Sequence, residues 1–521
     1  MKHLVISVLA LSAGAASLAQ PTTTIITHGL TADFGSGDKS AWQRAMGRAI
    51  IDASPGGEGA VLFYTPADGA WNLHYGAVEP GEPLVLVFNW VFESDGLSLP
   101  GANTNYTEAA GEALHAALRD PRGAVTFDVL TGRETHFIGH SRGTVVNSEA
   151  VRRLGRDGFA VDQLTALDPH PVNGFFEDGF GEDWDDPFPQ VWENVAFADT
   201  YYRADGAASF GTNQDTDGYA IPGSYAVDLT PFLGDEAGFD FDSALFGCSL
   251  EHSLVHTWYH GTIDLGATTD GDCTINRGSW YAGADGGCAS AACTGFAYTA
   301  LAGGERPASG PGLAIDEAPL LFNGDFRWSY AGWRYHGGAG SSDGQIGSDG
   351  ESDFVSLGGG DFITHNRFFL PKGVTEAELD YRVNVAGSGD AIEIVLTGLD
   401  GMSYAGGLAD AGAAGSWGVA SVPLPASAPR DRAYTLTLRL ADAGGGAVSA
   451  SVDVRRVELL AAAPCPADLD GDGVVGAGDL AILISAWGGG GAADLSGDGI
   501  VGAADLAEVI GAWGECGAAS R

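Results

Sequence analysis

Gly139-His140-Ser141-Arg142-Gly143 lies between an apolar, β-prone run, Thr135-His136-Phe137-Ile138, and Thr144–Val151, which reads as a helix. A turn that tight between strand and helix leaves no room for a Cβ at either glycine, so Gly139 and Gly143 are required sterically. The serine between them is held in a strained conformation with its hydroxyl lifted clear of the sheet. With 80 glycines in 521 residues the pentapeptide alone is a weak signal. Its specificity comes from the flanking strand and helix.

A nucleophilic serine needs an oxyanion site, a base and an acid, and the segment 20–315 offers each. Strand-like and helix-like stretches alternate there, as a mostly parallel sheet requires. Thr23–Thr27 and the fully apolar Leu84–Phe88 are strand runs; Trp42, Ala45, Met46, Ala49 and Ile50 share a helical face; Ala109–Leu118 is an alanine-rich helix. The first strand ends in His28-Gly29-Leu30, so the backbone N–H groups of Leu30 and Arg142 are candidates for an oxyanion hole. Asp168 ends the run Leu164–Leu167, and the following Pro169 stops that strand with the carboxylate at its carboxyl end. Asp199, at the end of Val195–Ala198, competes with it. His252, His256 and His260 follow at helical spacing, with His252 at the loop-to-helix junction where a general base needs to be. No Glu stands in the position that the zinc-protease pattern requires.

This set, His28-Gly29-Leu30, Gly139–Gly143, Leu167-Asp168-Pro169 and His252 with Trp258-Tyr259, resembles the lipase-type α/β-hydrolases over about the first 315 residues. The resemblance implies an α/β-hydrolase fold, a Ser141-His252-Asp168 triad and an acyl-enzyme, with no cofactor for the ester chemistry. It implies an ester or lipid substrate and a lipase or carboxylesterase. The segment Pro171–Trp192 departs from the family in its mixture of acids and aromatics, and reads equally as a lid, a calcium loop or an acidic surface loop.

The first nineteen residues have the pattern of a signal peptide, with Lys2 and His3, an apolar run Leu4–Leu11, and small residues at Ser17 and Ala19. Export follows, either to the medium or to the cell surface, and no other run is long and apolar enough to span a bilayer. Six cysteines, an even number, suit an oxidising compartment. The pairing of Cys248, Cys273, Cys288 and Cys293 is left open. A net charge of −43 excludes nucleic acid as a partner.

Period-two alternation replaces the helical pattern over 316–460, as in Leu379–Val385, Ile392–Leu396 and Tyr434–Leu440, which predicts a β-sandwich. Its opening, Asn323-Gly324-Asp325-Phe326, resembles galactose-binding-like jelly rolls. Trp328, Tyr330, Trp333 and Tyr335 are candidates for stacking on sugar rings, or for core positions.

A twelve-residue pattern recurs over 461–521. Asp468, Asp470, Asp472, Val474 and Asp479 occupy positions 1, 3, 5, 7 and 12 of a calcium loop. Asp494, Ser496, Asp498, Ile500 and Asp505 repeat the set 26 residues later. Aspartate at position 12 departs from the ordinary EF-hand, and the duplicated unit resembles a dockerin, which implies calcium and a cohesin-like or cell-surface partner. Cys465 and Cys516 bracket the repeats.

The expected whole is an α/β-hydrolase domain (20–315), a β-sandwich (316–460) and a small all-α dockerin-like tail. The expected function is a secreted lipase or carboxylesterase. A polysaccharide-directed acetyl or feruloyl esterase, and a non-catalytic surface or carbohydrate-binding protein, are the alternatives.

Overall fold

The computed structural model describes residues 20–29, 41–90, 106–171, 186–203, 218–233, 251–281, 290–316, 319–328, 330–337, 346–348, 350, 352–410, 415–442, 447–461, 465–470, 474–497 and 499–515. The expected signal peptide, Leu30, Asp472, Asp498, Cys248, Cys288, Cys516 and most of the 171–192 segment lie outside them.

The strands β1 (Thr22–Thr27), β2 (Ala60–Thr65), β3 (Ala70–Gly76), β4 (Leu84–Phe88), β5 (Glu134–His140), β6 (Val161–Leu167), β7 (Val195–Tyr202) and β8 (Tyr225–Asp228) form one open sheet. Its order is β3-β2-β4-β1-β5-β6-β7-β8, with only the edge strand β3 antiparallel to its neighbour. Helices α1 (Ala41–Ala53), α2 (Tyr106–Arg119), α3 (Gly143–Arg156), α4 (Thr230–Leu233) and α5 (Glu251–Ile263) cover it. On one face Trp42, Met46 and Ile50 of α1 share a core with Val255, Trp258 and Tyr259 of α5. On the other, Leu114 and Leu118 of α2 and Val146 and Val151 of α3 pack on Ile25, Leu86 and Phe137. Strand β4 is buried throughout, so its five residues are all apolar.

The second unit is a sandwich of antiparallel sheets. One holds β10 (Ile346–Ser348), β11 (Asp353–Leu357), β14 (Val374–Val385), β17 (Gly418–Pro423) and β19 (Ser451–Ala461). The other holds β9 (Trp333–His336), β12 (Phe362–His365), β13 (Phe368–Leu370), β15 (Asp390–Gly398), β16 (Ser403–Asp410) and β18 (Arg432–Asp442). Val355, Leu379 and Val452 from the first face Ile363, Ile394 and Leu438 from the second in one core. The third unit pairs β20 (Val474–Val475) with β21 (Gly514–Glu515) beside α6 (Ala477–Ser485) and α7 (Ala503–Gly511). Its small core is Ala467, Val475, Leu483, Ala493, Val501 and Val509.

These observations correct the class expected for the chain. Eleven of the twenty-one strands among the described residues belong to the sandwich, so its sheets predominate over the open one. The tail is not all-α, because closing the duplicated unit pairs Val475 with Gly514. The open sheet also has its own order: the His-Gly turn follows the first strand, where the hydrolase pattern has it after the third.

Helix α2 is the seam between the first two units. Ala109 packs on Phe322 and Ala331, and Ala116 packs on Phe369 and Ala433. Asn366 donates to the Ala109 carbonyl (2.8 Å), and the guanidinium of Arg367 donates to the Tyr64 hydroxyl (2.9 Å). The Arg119 guanidinium sits 4.1 Å from the centroid of the Phe369 ring, a cation–π contact on an apolar seam. Removing that ring by Phe369→Ala is expected to cost about 3 kcal/mol. Calorimetry should then resolve the two units into separate transitions, where the native chain is expected to give a single one.

Candidate functional sites

Neighbouring strands bring the candidate residues together. Strands β1, β5 and β6 are adjacent, with Thr27 beside Gly139 and His140 beside Leu167, so the turns after all three strands emerge at one edge. Open sheets place ligand sites outside their strand carboxyl ends. Gly29, Ser141 and Asp168 all emerge there.

The steric argument for the glycines is explicit in the distances. A Cβ at Gly143 would lie 2.5 Å from the carbonyl oxygens of both Thr27 and His28, and one at Gly139 would lie 2.7 Å from the Gly143 oxygen. A Cβ at Gly29 would come within 2.9 Å of Ser141 Oγ. Ser141 has φ of 56°, a left-handed conformation costing a non-glycine residue about 1–2 kcal/mol. The surroundings hold it there. Its N–H donates to Leu167 O (3.0 Å) and its carbonyl accepts from Thr144 Oγ1 (2.7 Å).

Asp168 is also left-handed, at φ 46°, and accepts from the Arg203 N–H through Oδ1 (2.8 Å). Its other oxygen accepts from His252 Nδ1 at 2.5 Å. With Nδ1 committed as a donor, Nε2 of His252 remains as the acceptor. His252 sits at the start of α5, and its backbone carbonyl accepts from Nε2 of His140 (3.1 Å). Burial holds His140 well below the ordinary histidine range, and the neighbouring His252 and His256 add to the effect.

The competing residues have other partners. Asp199 accepts from Thr165 Oγ1 (2.6 Å), Tyr201 OH (3.0 Å) and Gln163, and burial pushes its carboxyl up to about 6. His256 pairs with Asp270 (3.0 Å) and stacks on Trp42 at 4.4 Å. Sequence reasoning missed Asp270, and also missed that the Arg142 side chain is a buried partner of Asp186 (2.6 and 2.7 Å). That pair is separated by 44 residues with no periodicity to announce it.

His28 is also buried and donates through Nδ1 to Gly29 O (2.8 Å), while Nε2 accepts from the Trp90 N–H (3.1 Å). Burial brings His28 down to about 4, as it does His365; for His136 it is about 3. All three therefore bind protons in the unfolded chain, near 6.5, before they do in the folded one. Their contribution is complete above pH about 6.5 and is lost as pH falls from there to about 4, and to about 3 for His136. The buried carboxyls of Asp199 and Glu112, raised to about 6 and 7, oppose this in the same window. Urea midpoints of native protein and His136→Gln should therefore differ in slope, the native one falling more steeply toward acid, and equal slopes would contradict the assignment.

Of the four candidate sugar-stacking aromatics, Trp333 lies in the sandwich core, Tyr330 and Tyr335 pack against it, and Trp328 packs at the α2 seam. That favours the core alternative. Cys273, Cys293 and Cys465 are disulfide-bonded, and among the described residues no cysteine is free.

In the tail, ligand oxygens of Asp468, Asp470 and Asp479 lie within 4.8 Å of one another. Asp479 accepts from the N–H groups of Leu469 (2.6 Å), Asp470 (3.0 Å) and Gly476 (2.6 Å), which folds the loop around its carboxylate. Asp505 does the same for Ser496 (2.8 Å) and Gly502 (2.6 Å), and those bonds hold its carboxyl at about 2. Asp494 accepts from the Gly499 N–H in the second loop (2.8 Å). Val474 and Ile500 occupy position 7 of each loop, where the backbone carbonyl ligates and an apolar side chain is tolerated. Converging carboxylates of this kind suit a hard divalent cation.

Residues 466–512 match the family model described as the dockerin type I domain. The chain carries a dockerin type I domain. Such domains bind calcium and a cohesin partner. No curated protein matches the chain. Solved structures similar to it include Xylanase10C from Cellvibrio japonicus, 14% identical over 26% of this chain and 29% of that one, with a TM-score of 0.20. The module TmCBM61, in complex with β-1,4-galactotriose, is 12% identical over 28% of this chain and 99% of its own, with a TM-score of 0.21. A non-crystalline cellulose-specific module, CBM28, is 12% identical over 27% of this chain and 94% of its own, at 0.21. The chain spans less than a third of the length of the xylanase. No helix among the described residues is long and apolar enough to cross a membrane.

The dockerin loops cannot hold three or four carboxylates together without a counter-charge. Chelation should therefore unfold the chain from about Asp468 onward and leave the secondary structure of the other two units intact. Circular dichroism and tryptophan fluorescence with and without chelator would check this, Trp487 and Trp513 being the reporters in the tail.

Proposed function

We propose that the chain is an extracellular serine esterase acting on polysaccharide-linked esters of the acetyl or feruloyl type, carried on a cohesin-bearing partner by its dockerin. The observation that carries the enzymatic reading is the 2.5 Å contact between His252 Nδ1 and Asp168, beside a serine held at φ 56°. The dockerin supports the rest, since it is a module of extracellular, carbohydrate-active proteins. The lipase reading draws only on the triad, which both readings share.

In the proposed reaction Ser141 Oγ attacks the ester carbonyl while His252 Nε2 takes its proton, and Asp168 stabilises the imidazolium. The tetrahedral oxyanion is held by backbone N–H groups, Arg142 supplying one. Collapse expels the alcohol, which receives the proton from His252. Water then repeats the sequence on the acyl-enzyme and releases the acid. The expected signal peptide, disulfides and calcium-dependent tail agree with an extracellular setting.

Purified protein should release acetate or ferulate from esterified polysaccharide faster than it releases fatty acid from an emulsified triglyceride, and should be labelled by a fluorophosphonate probe. Ser141→Ala should abolish turnover and labelling with an unchanged melting temperature. Asp168→Asn should lower kcat by about 10⁴-fold by misdirecting the His252 tautomer. His256→Gln should keep most activity. A dead His256 variant beside an active His252→Ala would overturn the assignment of the base.

A further inference from the structure

Arg142 follows the candidate nucleophile directly, and its side chain does not face solvent. It is fully buried, with Nε and Nη2 donating to the two oxygens of Asp186 at 2.6 and 2.7 Å. Asp186 is equally buried (1% exposed) and also accepts from Thr107 Oγ1 (2.8 Å), the second residue of α2. The guanidinium lies 5.6 Å from the centroid of the Trp90 ring. Trp90 in turn donates through its indole N–H to the His28 carbonyl (2.8 Å) and through its backbone N–H to His28 Nε2 (3.1 Å), and stacks on that imidazole. One buried chain of contacts thus runs from the turn after β5 to the turn after β1. Those are the two turns expected to carry the oxyanion N–H groups.

Packing alone does not call for this arrangement. Two charges taken fully out of water cost several kcal/mol each, and an apolar pair of the same volume is often as stable. A bidentate guanidinium–carboxylate pair provides something else, a fixed distance and plane. A left-handed non-glycine residue such as Ser141 persists only where its surroundings over-determine it. The residue that has to be clamped is the next one, because the direction of its N–H depends on the Ser141–Arg142 peptide plane.

We propose that the Arg142–Asp186 pair, braced by Thr107 and by Trp90 on His28, is a positioning device that aims the Arg142 backbone N–H at the oxyanion of ester hydrolysis. It rests on the serine-esterase reading. The pair touches no substrate. It acts through the backbone of Arg142 and ties Asp186 to the same point.

An interaction made only in the transition state lowers kcat and kcat/KM equally when it is lost. The test compares kcat, KM and melting temperature for native protein, Asp186→Asn, Arg142→Lys and the apolar double variant Arg142→Met/Asp186→Leu, on one soluble acetate ester. Asp186→Asn should lower kcat by about 10- to 100-fold, short of the loss for a deleted donor, with KM within about twofold. Arg142→Lys, which keeps the charge but not the fork, should fall in the same range. The double variant guards against simple unfolding, since it removes both charges together; it should melt near the native temperature and still have reduced kcat. A double variant with native kcat would overturn the proposal and make the pair structural, as would Asp186→Asn that melts lower with kcat unchanged. Full turnover by Ser141→Ala would instead remove the underlying esterase reading, and with it this one.

Discussion

Three absent methyl groups set the geometry around Ser141. Any Cβ at Gly29, Gly139 or Gly143 would lie under 3 Å from backbone or from Ser141 itself, and the nearest atom in each case is a backbone atom or the Ser141 Cβ, which cannot swing aside. Because these positions are empty, β1, β5 and the start of α3 approach closely enough for the serine to stand above the strand ends. The approach also fixes where Asp168 must lie, since Ser141 N–H bonds to the carbonyl that precedes it. His252 is then the one element brought from far along the chain, and a hydrogen bond from His140, inside the same pentapeptide, holds its backbone.

The features legible in the sequence are those that local chemistry dictates. The glycines of the elbow, the proline after Asp168, the buried run of β4 and the period-two stretches of the sandwich each state their requirement within a few residues. The duplicated acidic loops do so as well, because a cation imposes ligand spacing on contiguous positions. The contacts that sort the alternatives are long-range and leave no such trace. Nothing near Asp199 says that Thr165 and Gln163 on the neighbouring strand will consume its oxygens, nor does anything near His256 announce Asp270. The chain-wide class is misread for a related reason: the elbow draws weight toward the first 315 residues, while the sandwich supplies more of the strands.

Helix α2 shows the same limit. Its alanines read as helix propensity, but their small size has a second use: Gly111 fits against Glu149 and Val146 of α3, and Ala109 and Ala116 meet Phe322 and Phe369 of the sandwich. A helix buried on both sides needs small residues to let two layers close on it. Oε1 of its buried Glu112 is approached from both units, by Arg153 of α3 (3.3 Å) and by the Phe322 N–H (2.9 Å), and burial pushes its carboxyl up to about 7. The sandwich is therefore part of the body that carries the site, and Thr107 at the start of the same helix reaches Asp186.

The distribution of charge depends on how the few cations are used. Of 25 basic residues against 68 acidic ones, Arg133, Arg142, Arg153 and Arg203 are buried among the described residues, and Arg142 and Arg153 pair with carboxylates. Arginine suits those positions better than lysine, because its fork satisfies two oxygens at once and it is the more weakly hydrated cation. Buried carboxylates outnumber buried arginines among the described residues, yet the excess of acids over bases is large enough that the exterior keeps the acidic sign of the whole chain. A surface of that sign repels a polyanionic chain over roughly a Debye length, about 8 Å at physiological ionic strength. Under the proposed function, a neutral ester-bearing polysaccharide meets no such barrier, and the acidic exterior then selects among polysaccharides before the triad acts on any ester.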